Sequence, residues 1–81
     1  MGSTTLNKLL PGERGTVVQV DSKTSSIKQR LLEMGLTRGT SIEMIRYAPM
    51  GDPIEISVRG YRLSLRRVEA ESVIVLQDVS Q

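Results

Sequence analysis

The sequence contains no cysteine and no histidine. Without cysteine there are no disulfides, no zinc-thiolate centre and no thiol nucleophile. Without histidine the commonest general base and the commonest transition-metal ligand are both missing. Rings are scarce too: there is no Phe or Trp, and Tyr47 and Tyr61 are the only aromatic residues. Small barrels that bind nucleic acid stack bases on such rings, so this poverty argues against that class. No apolar run approaches the roughly 18 residues that span a bilayer, and no N-terminal segment has the basic, apolar, small-residue order of a secretory signal. A cytoplasmic setting is expected, and the lack of cysteine fits a reducing compartment.

Charge of one sign is not in excess either. Eleven Lys plus Arg stand against nine Asp plus Glu, a net charge of +2, far from the dense basic stripe of a nucleic-acid binder. The 81 residues have room for one domain. A chain this short buries only roughly 60% of its unfolded surface, which leaves little material to wall an internal active site. The domain is expected to occupy residues 4–77. Met1, Gly2 and Ser3 are set aside as a cloning remnant, and Asp78 to Gln81 are expected to fray.

What is present reads mainly as strand. Thr5 to Leu10 is a helical-turn candidate that lays Leu6, Leu9 and Leu10 over one end of a core, with Thr5 as cap and Pro11-Gly12 as the stop. Gly15 to Val20 is a β-branched strand, followed by the polar loop Asp21 to Ser25. Ser26 and Gln29 have capping-box spacing, and Ile27, Leu31 and Met34 form one apolar stripe of a helix. Gly35 follows as the left-handed residue of a Schellman ending, in which Leu31 meets Leu36. Thr40 to Tyr47 is a strand with broken alternation, explained by a bulge or by cover on both faces. Ala48-Pro49-Met50-Gly51-Asp52-Pro53 is a loop, since two prolines and a glycine cannot sit inside a ladder.

The strongest element is a hairpin of Ile54–Arg59 and Tyr61–Arg66 turning at Arg59-Gly60. That register pairs Val58 with Tyr61, Ile56 with Leu63 and Ile54 with Leu65 on one face, and Ser57 with Arg62 and Glu55 with Ser64 on the other. A slip of one residue destroys the sorting. Arg67 to Glu71 is a short turn and Val73 to Leu76 the last strand. About five short strands, one helix and one helical turn predict a small closed or half-closed β-barrel.

Arg30-Leu31-Leu32-Glu33-Met34-Gly35-Leu36, Gly39-Thr40, the loop Ala48 to Ile54, Leu63-Ser64-Leu65-Arg66 and Glu69-Ala70 resemble the FeoA family in order and spacing. The likeness runs from about Leu6 to Leu76. It implies an SH3-like barrel with a helix inserted after the first strand. It implies a cytosolic accessory protein of bacterial ferrous iron transport, whose partner is the cytosolic part of FeoB, a GTP-binding membrane permease. It also suggests kinship with the SH3-like domain of diphtheria-toxin-repressor-type metalloregulators. Transition-metal binding is often attached to the family, but soft and borderline ligands are missing here.

Three surfaces are candidate partner contacts. Pro49, Met50 and Asp52 lie in a loop stiffened by proline, with Met50 as an adaptable apolar tip; the rival reading is a plain crossover. Leu32 and Leu36 need not both fit the helix stripe, which leaves one for a partner; the rival is that both cap the barrel. Among Arg59, Arg62, Arg66 and Arg67, strand alternation puts Arg62 and Arg66 on the outward face. They suit an acidic partner, a nucleotide phosphate or a nucleic acid backbone, unless they are solvated and paired with Glu55 and Glu69. None of the eight arginines is singled out as a finger for a GTPase.

Oxygen ligands could come only from Glu33, Glu43, Asp52, Glu55, Glu69 and Glu71 among the candidates, and no ligand motif joins them. No nucleophile–base pair and no phosphate-binding glycine loop can be assembled. Neither catalysis, a cofactor nor a tight metal site is expected. The reading is an adaptor that modulates a ferrous iron permease by contact. The alternatives are a metal-linked SH3-like regulatory module and, behind it, a nucleic-acid-binding barrel.

Overall fold

A computed structural model describes residues 2–78. Six strands make one antiparallel sheet: β1 (Ser3–Thr5), β2 (Arg14–Val20), β3 (Ser41–Tyr47), β4 (Ile54–Val58), β5 (Tyr61–Leu65) and β6 (Val73–Gln77). Their order is β1-β6-β2-β3-β4-β5. Helix α1 (Ser25–Glu33) lies between β2 and β3, and the four-residue α2 (Arg67–Ala70) between β5 and β6. The fold is mainly β, as expected, and half-closed: β1 and β5 are the two edges.

The hairpin forms with the expected register, Val58 opposite Tyr61 through Ile54 opposite Leu65. Its two-residue turn has positive φ at both Arg59 (51°) and Gly60 (90°), the primed geometry that matches strand twist. Ile54, Ile56, Val58 and Leu65 point into the core with Val17, Ile42, Met44, Val73 and Val75. The broken alternation of β3 is a bulge, with the register shifting between Met44 and Arg46. A second shift lies in β2 between Val17 and Gln19.

Helix α1 ends as its sequence dictates. Leu36 N–H donates to Leu31 C=O (3.2 Å) and Gly35 N–H to Leu32 C=O (3.0 Å), the two bonds of a Schellman motif. Gly35 has φ of +100°, and Leu31 and Leu36 are both fully buried.

Several expectations are corrected. Ser3, set aside above, has a place in the sheet: Ser3–Thr5 pairs with Ile74–Leu76 of β6. The leucine turn shrinks to a 3₁₀ turn over Leu6–Lys8, with no side-chain cap bond from Thr5. Leu6 and Leu9 are buried, but Leu10 is left outside. The α1 capping box does not form: the N-cap is Thr24, without a side-chain cap bond, and Gln29 Nε2 donates instead to Glu33 Oε2 one turn on (3.2 Å). Tyr61, expected in the core, is 45% exposed. It stands at the open edge, where the sheet has no neighbour to cover its ring. Asp78 is not frayed, since its N–H donates to Arg14 C=O (2.9 Å); residues 79–81 of that expectation lie outside the described residues.

Gly35→Ala tests the helix ending. The new Cβ would sit 2.9 Å from Tyr61 Oη in a left-handed backbone. A loss of about 1–3 kcal/mol is expected from the backbone strain, read by urea denaturation; Tyr61→Phe in the same chain relieves the steric part but gives up the Tyr61 Oη bond to the Met34 carbonyl, so Tyr61→Phe alone is its reference.

Candidate partner-binding face

The proline loop is built to hold still. Gly51 N–H donates to Ala48 C=O (2.7 Å) and Ala48 N–H to Pro53 C=O (2.9 Å), so a four-residue turn sits on a closed base. Asp52 Oδ1 accepts the Arg67 N–H (3.0 Å), one of the donors that the first turn of α2 cannot satisfy internally. The Arg67 side chain reaches back to Gly51 C=O (3.4 Å) and lies over the Tyr47 ring, 5.5 Å from its centre. Tyr47 Oη in turn donates to Leu9 C=O. The loop, α2 and the leucine turn are thereby locked together.

Met50 rides on that locked base at 92% exposure. Val68 follows Arg67 and is 60% exposed, so two apolar side chains flank the joint between loop and α2. Val68 was not legible as a contact residue. Its only signal is a β-branched residue in a polar turn, and half the protein surface is apolar in any case. Asp52 is a loop fastener rather than a free contact, and Pro49 is exposed beside Met50.

Leu32 and Leu36 separate cleanly. Leu32 is 38% exposed, whereas Leu36 has no exposed surface. Leu36 is therefore corrected: the Schellman turn folds it onto Leu31, and it offers a partner nothing. Tyr61 Oη donates to Met34 C=O, which joins the end of α1 to the start of β5.

The arginines divide by partner. Arg62 lies 3.5 Å from Glu55, which also meets Arg46 at 3.7 Å. Arg59 donates to the Thr40 and Thr37 hydroxyls (3.1 and 3.3 Å). Arg66 is exposed and meets no carboxylate among the described residues. The expected pairing with Glu55 holds for Arg62, but Glu69 belongs to another arginine. Arg30 Nη1 donates to Glu69 Oε2 (2.9 Å), and Glu69 Oε1 accepts the Arg66 N–H (3.1 Å). Glu69 is 6% exposed. Its role had a signal, a glutamate three residues after the residue that precedes a helix.

The donor set does not suit a transition metal. The chain has no His or Cys. Glu43, Glu55 and Glu69 are each engaged by arginine. No group of three or more potential ligands gathers among the described residues. A shallow depression of about 190 Å³ is lined by Arg14, Ser41, Ile42, Glu43, Ser57 and Arg59, with Arg14 already facing Glu43 (3.4 Å). The site that remains is a surface: a rigid apolar tip, an exposed leucine, and arginines along a strand edge.

Comparison with known proteins identifies the family and the fold. A family model described as the FeoA domain matches residues 4–77. A fusion of Fe(2+) transport protein A with the Fe(2+) transporter FeoB, from Porphyromonas gingivalis, is 33% identical over 70 residues. That match takes in 86% of this chain but spans 8% of the fusion's length. The solution structure of a FeoA-like protein from Clostridium acetobutylicum superposes with a TM-score of 0.90 at 33% identity, over 100% of this chain and 93% of that one. The zinc complex of FeoA from Stenotrophomonas maltophilia, described as a prokaryotic SH3 domain protein and offered there as a ferrous iron transport activating factor, gives 0.80 at 31% identity. It covers 89% of this chain and 88% of its own.

Three substitutions separate fasteners from contacts. Glu69→Ala removes the buried carboxylate, leaving the Arg66 N–H and the Arg30 guanidinium without their acceptor, and is expected to cost about 1–3 kcal/mol. Arg30→Ala leaves the same buried carboxylate without its cation and is expected to cost a comparable amount, about 1–3 kcal/mol. Met50→Asp is expected to change stability by no more than about 0.5 kcal/mol. Chemical denaturation of the three variants measures all of these.

Proposed function

The chain belongs to the FeoA domain family, and on that premise we propose that it is an accessory protein of ferrous iron transport that acts by docking on a FeoB-type permease. The observation that carries the reading is the locked loop with Met50 almost wholly in solvent. Holding an apolar tip rigid in water serves contact, because little entropy is lost on docking. The FeoA–FeoB fusion supports the choice of partner: joining two modules on one polypeptide raises their effective concentration, which is useful when they work together.

In this reading Met50, Pro49 and Leu32 supply apolar area, and Arg62 and Arg66 steer toward an acidic face. The partner surface lies on the cytoplasmic side, and among the described residues no helix is long and apolar enough to cross a membrane. The reading requires no resident metal. Ferrous iron is the cargo of the permease and not a ligand of this chain.

Titration against the permease's isolated GTP-binding domain tests it. Saturable binding is expected in at least one nucleotide state, weakened about tenfold, or ~1.4 kcal/mol, by Met50→Asp with the melting temperature unchanged. Absence of binding in every nucleotide state would overturn the proposal. So would a Met50→Asp variant that binds as well as the parent.

A further inference from the structure

Among the described residues, strand β5 is the last in its sheet and pairs only with β4. In a hairpin closed by a two-residue turn, the residues beside the turn exchange both hydrogen bonds and the pattern alternates from there. Val58 and Tyr61 are that first pair. Tyr61, Leu63 and Leu65 therefore use their backbone groups on β4, while those of Arg62 and Ser64 point away from it. No strand or turn among the described residues takes up these four groups. The free stretch is short and has a defined end. At Arg66 the N–H goes to Glu69 Oε1 and the C=O to the N–H groups of Glu69 and Ala70.

The charged side chains of β5 and its flanking turns are all basic, and the nearest carboxylate on that face, Glu55 of β4 opposite Ser64, is shared between Arg46 and Arg62. Residues 56–68 carry four arginines and no Asp or Glu. Arg62 reaches a carboxylate that Arg46 also uses, Arg59 binds neutral hydroxyls, and Arg66 is unpaired among the described residues. On the opposite face of the strand stand the half-exposed Tyr61 ring and the partly buried Leu63. A strand laid along this edge would place alternate side chains on the two faces, one row toward arginine and the other toward Tyr61 and Leu63.

We infer that the open edge of β5 is a docking site for an extended acidic segment of a partner protein, which adds to the sheet through the backbone of Arg62 and Ser64. Main-chain hydrogen bonds supply the attachment and alternating acidic and apolar residues the selection. A second copy of this chain is the wrong occupant, because it would bring arginine against arginine, and like charges across a strand pair repel. As a mode of contact for the arginine face the inference rests on the adaptor reading, but the edge is testable without any permease.

The probe is the synthetic peptide Val-Glu-Val-Glu-Val-Glu-Val, titrated into the isotope-labelled full chain, with the Lys-for-Glu peptide as comparison. At saturation the amide protons of Arg62 and Ser64 are expected to exchange about tenfold more slowly, as added-strand pairing requires. Binding is expected to weaken as salt rises. Ser64→Pro removes one edge donor without touching the β4 ladder and is expected to cut affinity about tenfold, with Ser64→Ala within about twofold. Should the proline variant lose its native spectrum, Arg62→Glu carries the test, by switching preference to the lysine peptide. Four results would each overturn the inference: no binding of the glutamate peptide, binding that leaves both amides unprotected, equal binding of the two peptides, or dimerisation of the free protein through β5. A peptide that docks while the permease domain does not would sink the adaptor reading and leave the edge standing.

Discussion

Glu69 is a carboxylate held almost out of water at the point where the parts outside the sheet meet. One oxygen takes the guanidinium of Arg30 from α1; the other closes the start of α2 at Arg66. A buried charge without partners is costly, so the carboxylate obliges α1, α2 and the end of β5 to arrive together. Much else follows from that joint. With α2 fixed, Arg67 is in place to donate its N–H to Asp52 and to cover Tyr47, and the proline loop is fixed in its turn. With α1 fixed at Arg30 and at the Met34 carbonyl, Leu31 and Leu36 are pressed into the barrel. The proposed docking surface is therefore the outer skin of a frame whose connections begin at one buried group.

The parts of this molecule that could be read from its sequence are those fixed by near neighbours. The β4–β5 hairpin was legible because its two strands face each other across two residues and every apolar side chain falls on one side. The end of α1 was legible because Gly35 answers a local steric need and its neighbours Leu31 and Leu36 supply the accompanying contact. The bulge in β3 showed itself as a fault in the alternation.

What was hidden is set by distant partners. Ser3–Thr5 carries no strand pattern of its own, and it is a strand only because β6 passes beside it. Arg30 and Glu69 are 39 residues apart, and Asp52 and Arg67 are 15 apart; no spacing rule links either pair. Ser26 and Gln29 had the spacing of a capping box, yet Gln29 turned to Glu33 on the exposed face, where water satisfies the helix start as well. At the candidate face Met50 and Arg66 were foreseeable from loop chemistry and strand parity. Leu32 and Leu36 could not be told apart until the turn after α1 had a direction, and Tyr61 looked like core only while the sheet edge beside it was unknown.

The exposure of Met50 also has a redox consequence. Of Met34, Met44 and Met50, the first two pack in or against the core, and only the third stands in solvent. Thioether oxidation follows access, so a peroxide would reach the loop tip well before the interior. The sulfoxide formed there is polar and chiral, whereas the tip it replaces is a soft hydrocarbon-like probe. The fold would not register the change. The proposed docking surface would, and a reductase could reverse it.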